Sequence, residues 1–592
     1  MDRNMILAIS LSMAVLLLWD FFIAGPQREA FEAARKEAIE TAQTEDTAAG
    51  ISGITVGAPE LTIEDALATG PGRIPIRTET LVGSINLEGA RIDDLQLLQF
   101  TEEVDPDSPK IRLLTPRSTN HAHYVQQGII AGASSPENAL WELTDGSVLT
   151  PTTPVTLSRQ SGELQFEKTI SIDDQYMFRV EQSVTNNSGE EISLTPFAIV
   201  VQRDIPEDYT NFFILHEGPL GIIGNALHER KYNTLKKKQD RAVSELGTGG
   251  WIGITNKYWL AAVIPPQDEQ MDAKLENIGT TETPIFRSRY SLNGRNLAPG
   301  ATTTIVSHVF GGVKDVDILQ HYEKPVDQGG LNVRDFDKAV DWGHFFFLTR
   351  PIFYALDFFG DKTGSFGVAI LILTVLTKLL LFPIANKGFE MTSKMKKMQP
   401  EVEALRARYE DDKMKMQQEM MALYKKEKLN PIAGCFPILL QMPIFYALYK
   451  TLFVTMEMRH QPFLYISDLS APDPTTIFNL FGLLPYDPTA LPMVGSFLAI
   501  GILPVLMGVA MWFQMKLNPP AADPIQAQIF ALLPFFFVFI FAGFAAGLVL
   551  YWFWNTALSI VQQWYIMRRN GVELDWGDRF KFLKKKSPAP GE

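Results

Sequence analysis

Cysteine is almost missing: Cys435 is the only one in 592 residues, and it falls in an apolar run. No disulfide framework can form within one such chain. Histidine is also sparse. His121 and His123 are expected to share a strand face, but no cysteine or carboxylate cluster at ligand spacing accompanies them. Surface or packing roles therefore outweigh metal binding for this pair. No G-x-x-x-x-G-K-[ST] loop occurs, so the usual backbone cradle for nucleotide phosphates is absent. The block 25–340 lacks any basic face. The net charge of −14 is concentrated there, and DNA is not indicated as a partner. Carboxylates, finally, are missing from five of the long apolar runs, which counts against a proton relay or an ion-coupled carrier.

Those runs are the main positive feature. Six lie near 5–23, 366–385, 431–454, 493–515, 528–544 and 547–567. About 20 apolar residues in a helix span a bilayer core. The first run carries Trp19, Asp20, Phe21 and Phe22 before Gly25-Pro26, with no small-residue cleavage site after it. Residues 1–24 read as an uncleaved signal anchor rather than a secretory signal peptide. Lysine and arginine crowd 387–430 and the tail 571–592, while loop 456–490 has only Arg459. Basic loops stay in the cytoplasm. Both termini are then cytoplasmic, and 25–340 and 456–490 lie outside.

Between the spans the texture changes. Residues 25–72, rich in Ala, Glu and Thr, read as a tether. From 73 to 340 short alternating runs, such as Leu164, Phe166, Lys168, Ile170 and Ile172, predict a β-sandwich. Residues 341–361 carry Trp342, Phe345, Phe346, Ile352, Phe353, Leu356 and Phe359 at helical spacing, broken by Pro351. Too short to span, they fit an amphipathic helix lying in the interface. The polar segment 387–430 predicts a hairpin of helices near 388–409 and 412–428. Its apolar positions are mostly methionine, which either seals the two helices or offers an adaptable surface.

Within Phe366–Ala385 stands Lys378, five residues before Pro383. An ammonium at that depth snorkels along its own stem or is paired, hydrated and working. The same span carries Thr374 and Thr377, and others carry Gln441, Asn555, Thr556, Ser559, Gln562 and Gln563. Singly such residues are helix–helix glue. Together with a lysine they predict a hydrated cavity.

At this point the chain resembles a known family. NPIAGCFPILLQMPIFYALYKTL at 430–452, LFPIANKGFEMTSKM at 381–395, KMQPEVEALRARYEDDKMKMQQEMMALYKKEKLNP at 397–431, DPIQAQIFALLPFFFVFIF at 523–541 and AGLVLYWFWNTALSIVQQ at 546–563 are similar to the YidC/Oxa/Alb membrane protein insertases. The resemblance covers about 364–570, and the anchor plus exported domain resembles the Gram-negative form. It implies a polytopic α-helical inner-membrane protein: six transmembrane helices, a five-helix insertase core, a cytoplasmic helical hairpin and a large periplasmic β-sandwich of the β-supersandwich type. It implies no enzyme and no cofactor. Nascent membrane proteins, membrane lipids, the Sec translocon and the ribosome are the implied partners. It also implies a groove holding one basic residue, matched here by Lys378 where many relatives have arginine. Thr374, Gln441, Phe436, Met442, Phe445, Tyr551 and Trp552 are the further expected substrate contacts, though each aromatic packs equally well against its neighbours. The basic tail suits either ribosomal RNA or anionic headgroups. Two other classes compete. A channel or carrier would need inverted repeats and more intramembrane charge. An anchored carbohydrate-modifying enzyme would need carboxylates or histidines converging in the β domain.

Overall fold

The computed structural model describes residues 60–572, apart from 132–135, 213, 239–240, 410–411, 428–435, 482, 485, 487, 489–494 and 519–523. The predicted anchor 1–24, most of the tether 25–72 and nearly all of the tail 571–592 lie outside the described residues. The chain divides into two compact units, Met1–Val340 and Asp341–Glu592.

The first unit is a sandwich of a ten-stranded and a nine-stranded sheet. Alternation works as read from the sequence. In Leu164–Ile172 the set 164, 166, 168, 170 and 172 is buried while the positions between are more open, and Leu164 pairs with Asn186 through to Ile172 with Phe178 in the next strand. Side chains alternate across a strand, so one set faces the partner sheet. Lys168 belongs to that inward set. Its ammonium donates to the Gln127 carbonyl of the other sheet at 2.7 Å and sits 4.9 Å from the Trp141 ring centre. The pairing of Met177–Asn186 with Thr302–Val313 joins segments more than a hundred residues apart. His121 lies ahead of the strand that begins at His123, so the two are not neighbours on one strand face. His123 is buried, and burial holds its imidazole down at about 4.

The second unit is helical: α1 (Phe346–Thr363), α2 (Phe366–Lys397), α3 (Gln399–Arg408), α4 (Lys413–Lys426), α5 (Phe436–Val454), α6 (Ile502–Leu517), α7 (Pro524–Ala542) and α8 (Ala546–Arg569), besides the short turn of helix Gly495–Leu498. Among the described residues α2 is the helix long and apolar enough to cross a membrane alone; Ile502–Leu517 and Ala527–Ala542 are shorter apolar helices.

Pro383 does not end its helix near 385, as the sequence suggests; α2 runs straight through it to Lys397. Proline removes one i→i−4 bond and crowds the preceding turn. Stopping there would free a whole turn of carbonyls and N–H groups, which costs more in an apolar medium. The first helix of the predicted hairpin is consequently shortened to Gln399–Arg408, its start absorbed into α2. The run 493–515 is also broken, with α6 beginning only at Ile502. Close packing uses small residues. At Gly508 of α6 a Cβ would collide with Val538 of α7, so these two helices meet at a glycine.

Candidate functional site

The site begins with a ladder on α8. Tyr551, Asn555, Ser559 and Gln563 recur every fourth residue and so share one face over about 18 Å. Three other helices reach it. The Gln441 amide of α5 donates to the Tyr551 hydroxyl. The Lys378 ammonium of α2 donates to Ser559 Oγ at 2.7 Å, and that hydroxyl donates to the Asn555 carbonyl at 2.8 Å. Gln563 Nε2 donates to Asn518 Oδ1, just beyond α6, at 3.0 Å. Gln563 Oε1 and Gln562 Nε2 are buried and have no partner among the described residues. Buried amides normally find one, so this seam has unmet hydrogen-bonding capacity.

Lys378 is half-buried and no carboxylate bonds it among the described residues. Thr374, one turn earlier, is fully buried, and its hydroxyl donates to the Ile370 carbonyl at 2.6 Å. That bond leaves it a helix-packing residue on the same face as Lys378. On the other sides of α2, Leu379 and Leu380 are exposed.

The predicted apolar contacts separate. Met442 is 61% exposed. Phe445, Tyr551 and Trp552 instead pack on one another. Phe445 meets Trp552 edge-on at 4.6 Å and lies nearly parallel to Tyr551 at 6.4 Å. Phe541 of α7 closes the cluster at 5.1 Å from Trp552. Phe436 starts α5, but its side chain lies outside the described residues. On α7, Phe535, Phe536 and Phe539 face outward while Phe537 turns toward Trp552.

The other end of the bundle is closed by loop 455–501. Helices α2, α6 and α8 begin there and α5 ends there. A helix start leaves unpaired N–H groups. The Leu469 and Ala471 carbonyls accept from Gly547 and Ala546 at 2.9 and 2.7 Å, at the start of α8. Asp473 Oδ2 accepts from Leu503 N–H at 2.8 Å, at the start of α6, a carboxylate at the favourable end of the helix dipole. Phe463 covers Gly367 at the start of α2 so closely that no Cβ would fit.

A second lysine lies at this end, one that the sequence reading passed over. Lys450 is 1% exposed and pairs with Asp341 Oδ2 at 2.6 Å. It lies four residues from the end of α5. The only signal was an aspartate just ahead of the aromatic helix. Among the described residues no group of three or more histidine, cysteine or carboxylate side chains could hold a metal ion.

Comparison with known proteins covers both units. The family described as 60Kd inner membrane protein matches residues 358–573, and the YidC periplasmic domain matches 73–355. The membrane protein insertase YidC of Beijerinckia indica subsp. indica is 45% identical over 607 residues, covering 99% of each chain. That of Nitrobacter hamburgensis is 44% identical over 607 residues, covering 100% of this chain and 99% of its own. Among solved structures, an active YidC insertase with its first transmembrane domain resolved aligns over 84% of this chain and 93% of that one, at 16% identity and TM-score 0.36.

Proposed function

The chain belongs to the YidC family of membrane protein insertases, and we propose that it moves nascent membrane proteins from the cytoplasm into the inner membrane through a wet, positively charged groove centred on Lys378. It is an insertase rather than an enzyme. One observation carries the groove reading: the Lys378 ammonium is held by a serine hydroxyl, with no carboxylate bonded among the described residues. A hydroxyl is a weak, exchangeable partner for a cation, whereas an ion pair in a low-dielectric site is not. An acidic extramembrane segment of a substrate can displace it.

The rest follows from charge and apolar transfer. A cation and unpaired amides partway across shorten the low-dielectric path for polar chain. Lys378 receives the acidic segment, with Gln441 and the amides at 562 and 563 solvating its backbone. The substrate's apolar segment passes Met442 and the outward phenylalanines of α7 and partitions into lipid, driven by roughly 25 cal/mol per Å² of apolar surface. No nucleotide is needed. Thr374, Phe445, Tyr551 and Trp552 act behind this surface by fixing the helices that carry it, and Phe436 extends the apolar path. Lysine retains the charge that many relatives supply as arginine, but not its two-pronged fork.

The finer architecture belongs to the same proposal. Six transmembrane helices leave both termini in the cytoplasm. The sandwich, of β-supersandwich type, is periplasmic, and α1 lies in the interface. The hairpin α3–α4 and the basic tail face the cytoplasm, where they meet the ribosome and anionic lipid, and the protein works alone or beside the Sec translocon.

The test is photocrosslinking from positions 378 and 441 to a stalled single-span nascent protein, with Lys378→Ala, Lys378→Arg and Lys378→Glu in a parallel insertion assay. Crosslinks that depend on the nascent span, impairment by glutamate and retention by arginine support the groove. Crosslinks to lipid or neighbouring helices alone, with all variants inserting normally, would reduce Lys378 to a snorkelling side chain.

A further inference from the structure

Loop 455–501 is inside out. Its two described aspartates between 460 and 486 are buried, Asp468 at 8% and Asp473 at 6% exposure. Asp468 accepts from the backbone N–H of His460 and Ser470, at 3.1 and 2.7 Å. Asp473 accepts from Thr475, Tyr465 and Leu503. Ile466 and Leu469 are buried beside them, but another set of apolar side chains points outward. Leu464 is 84% exposed and Leu483 83%, with Leu480, Phe481, Tyr465 and Tyr486 also exposed. Leu464, Leu480 and Phe481 hold left-handed backbone, with φ of 54°, 53° and 61°. Branched and bulky residues rarely adopt that region, so these leucines and this phenylalanine face outward against their own local preference.

A loop surrounded by water does the reverse: carboxylates face out and leucines in. Scattered single apolar residues on a surface need no explanation, but a contiguous set marks a contact. Here the position names the contact. The same segment binds the starts of α2, α6 and α8 through Phe463, Asp473, Leu469 and Ala471. Its exposed apolar side chains therefore belong to a segment tied directly to the ends of these helices. We propose that the tip carrying Leu464, Tyr465, Leu480, Phe481, Leu483 and Tyr486 is seated in the bilayer, at the acyl–headgroup boundary of the leaflet where α2, α6 and α8 begin. The two tyrosines suit that depth, with exposed apolar rings and hydroxyls satisfied within the loop, on Asp473 and on the Phe478 carbonyl. The proposal rests on reading the adjoining helices as membrane spans. On the proposed topology this is the outer leaflet, so the loop is a foot planted in lipid opposite the cytoplasmic mouth of the groove.

The test uses the full chain with Cys435→Ala, reconstituted in phosphatidylethanolamine–phosphatidylglycerol vesicles. Single variants Leu464→Cys, Leu480→Cys and Leu483→Cys carry a nitrobenzoxadiazole label. Asp107→Cys is the aqueous control and Leu380→Cys the lipid control. The expected result is blue-shifted emission at 464, 480 and 483, quenching by lipids spin-labelled near the headgroup, and no quenching by iodide. Iodide quenching equal to that at 107 would overturn the proposal. So would protection from both quenchers, which would place a protein surface, such as a second copy, over the tip. If the label at 380 also escapes lipid quenching, the membrane reading of the helices fails; if 380 is quenched and the loop is not, only the foot fails.

Discussion

Lys450 near the C-terminal end of α5 and Lys378 in the first half of α2 both sit in apolar helices, yet their surroundings differ in kind. Lys450 is sealed and ion-paired to Asp341 at 2.6 Å. Lys378 is half-buried and meets a hydroxyl. A fixed carboxylate satisfies a cation permanently and turns it into structure. An exchangeable hydroxyl leaves the charge open to whatever anion arrives. The difference also lies along the bundle: the closed end holds the paired lysine, and the polar seam holds the other.

The largest effect should come from breaking the closed pair. Lys450→Met removes the cation buried against the Asp341 carboxylate and is expected to lower stability by about 3–5 kcal/mol, whereas Lys450→Met with Asp341→Asn recovers most of it. Unfolding in a detergent titration measures both. A loss no larger than that of a surface pair, below about 1 kcal/mol, would erase the contrast.

A third buried lysine, in the sandwich, sharpens it. Lys168 has neither carboxylate nor hydroxyl, only a carbonyl and an indole, and burial with the neighbouring Arg159 pushes it down from 10.5 to about 7. Between those two values the unfolded chain holds a proton that the folded chain has released. Stability should thus rise with pH across that window and be lost as pH falls toward 7, by up to about 1.4 kcal/mol per pH unit. Lys168→Met should flatten the slope in thermal unfolding of the sandwich. An identical slope in both proteins would assign it to other groups.

For the open lysine, the readout is transport. Lys378→Glu is expected to slow insertion of an acidic-tailed substrate about tenfold, equivalent to ~1.4 kcal/mol, with Lys378→Arg near the parent rate. Ser559→Ala should cost about 1 kcal/mol in stability and leave insertion largely intact, because water replaces the hydroxyl. If serine proved as necessary as lysine, the hydroxyl would be more than a placeholder. Smallest of all, Met442→Ala should change stability by less than about 0.5 kcal/mol, as expected at an exposed position, while slowing crosslinking of an apolar substrate segment at that site.

How legible was this in the sequence? Local alternation is visible in any single strand, so Leu164–Ile172 could be read directly. The pairing of the neighbouring strand Met177–Asn186 with 302–313 could not, because it depends on contacts far along the chain. Lys378 stood out because nothing charged surrounds it. Its tie to Ser559 was unreadable, since several hydroxyls in the last span were equivalent candidates. Thr374 looked available and is not, because a threonine in a helix turns its hydroxyl onto its own backbone. Pro383 misled for a related reason: a local rule about proline lost to the demand that every backbone group in an apolar medium be paired. The inverted loop was legible only as mixed polarity. Which way Asp473 turns depends on the helix start at Leu503, as the carbonyls of Leu469 and Ala471 depend on those at Gly547 and Ala546.

That last dependence has a consequence for how the molecule is made. Synthesis runs from the N-terminus, so the loop emerges before two of the three helices whose starts it binds. Until Leu503 appears, Asp473 lacks its backbone N–H partner in α6, and until Ala546 and Gly547 appear, the carbonyls of Ala471 and Leu469 have nothing to accept from. The plug of the finished bundle is therefore its final joint. A growing copy of this chain passes through a stage with α2 and α5 in place and the far end unlatched, and it matures only when its last helix arrives to close the door behind it.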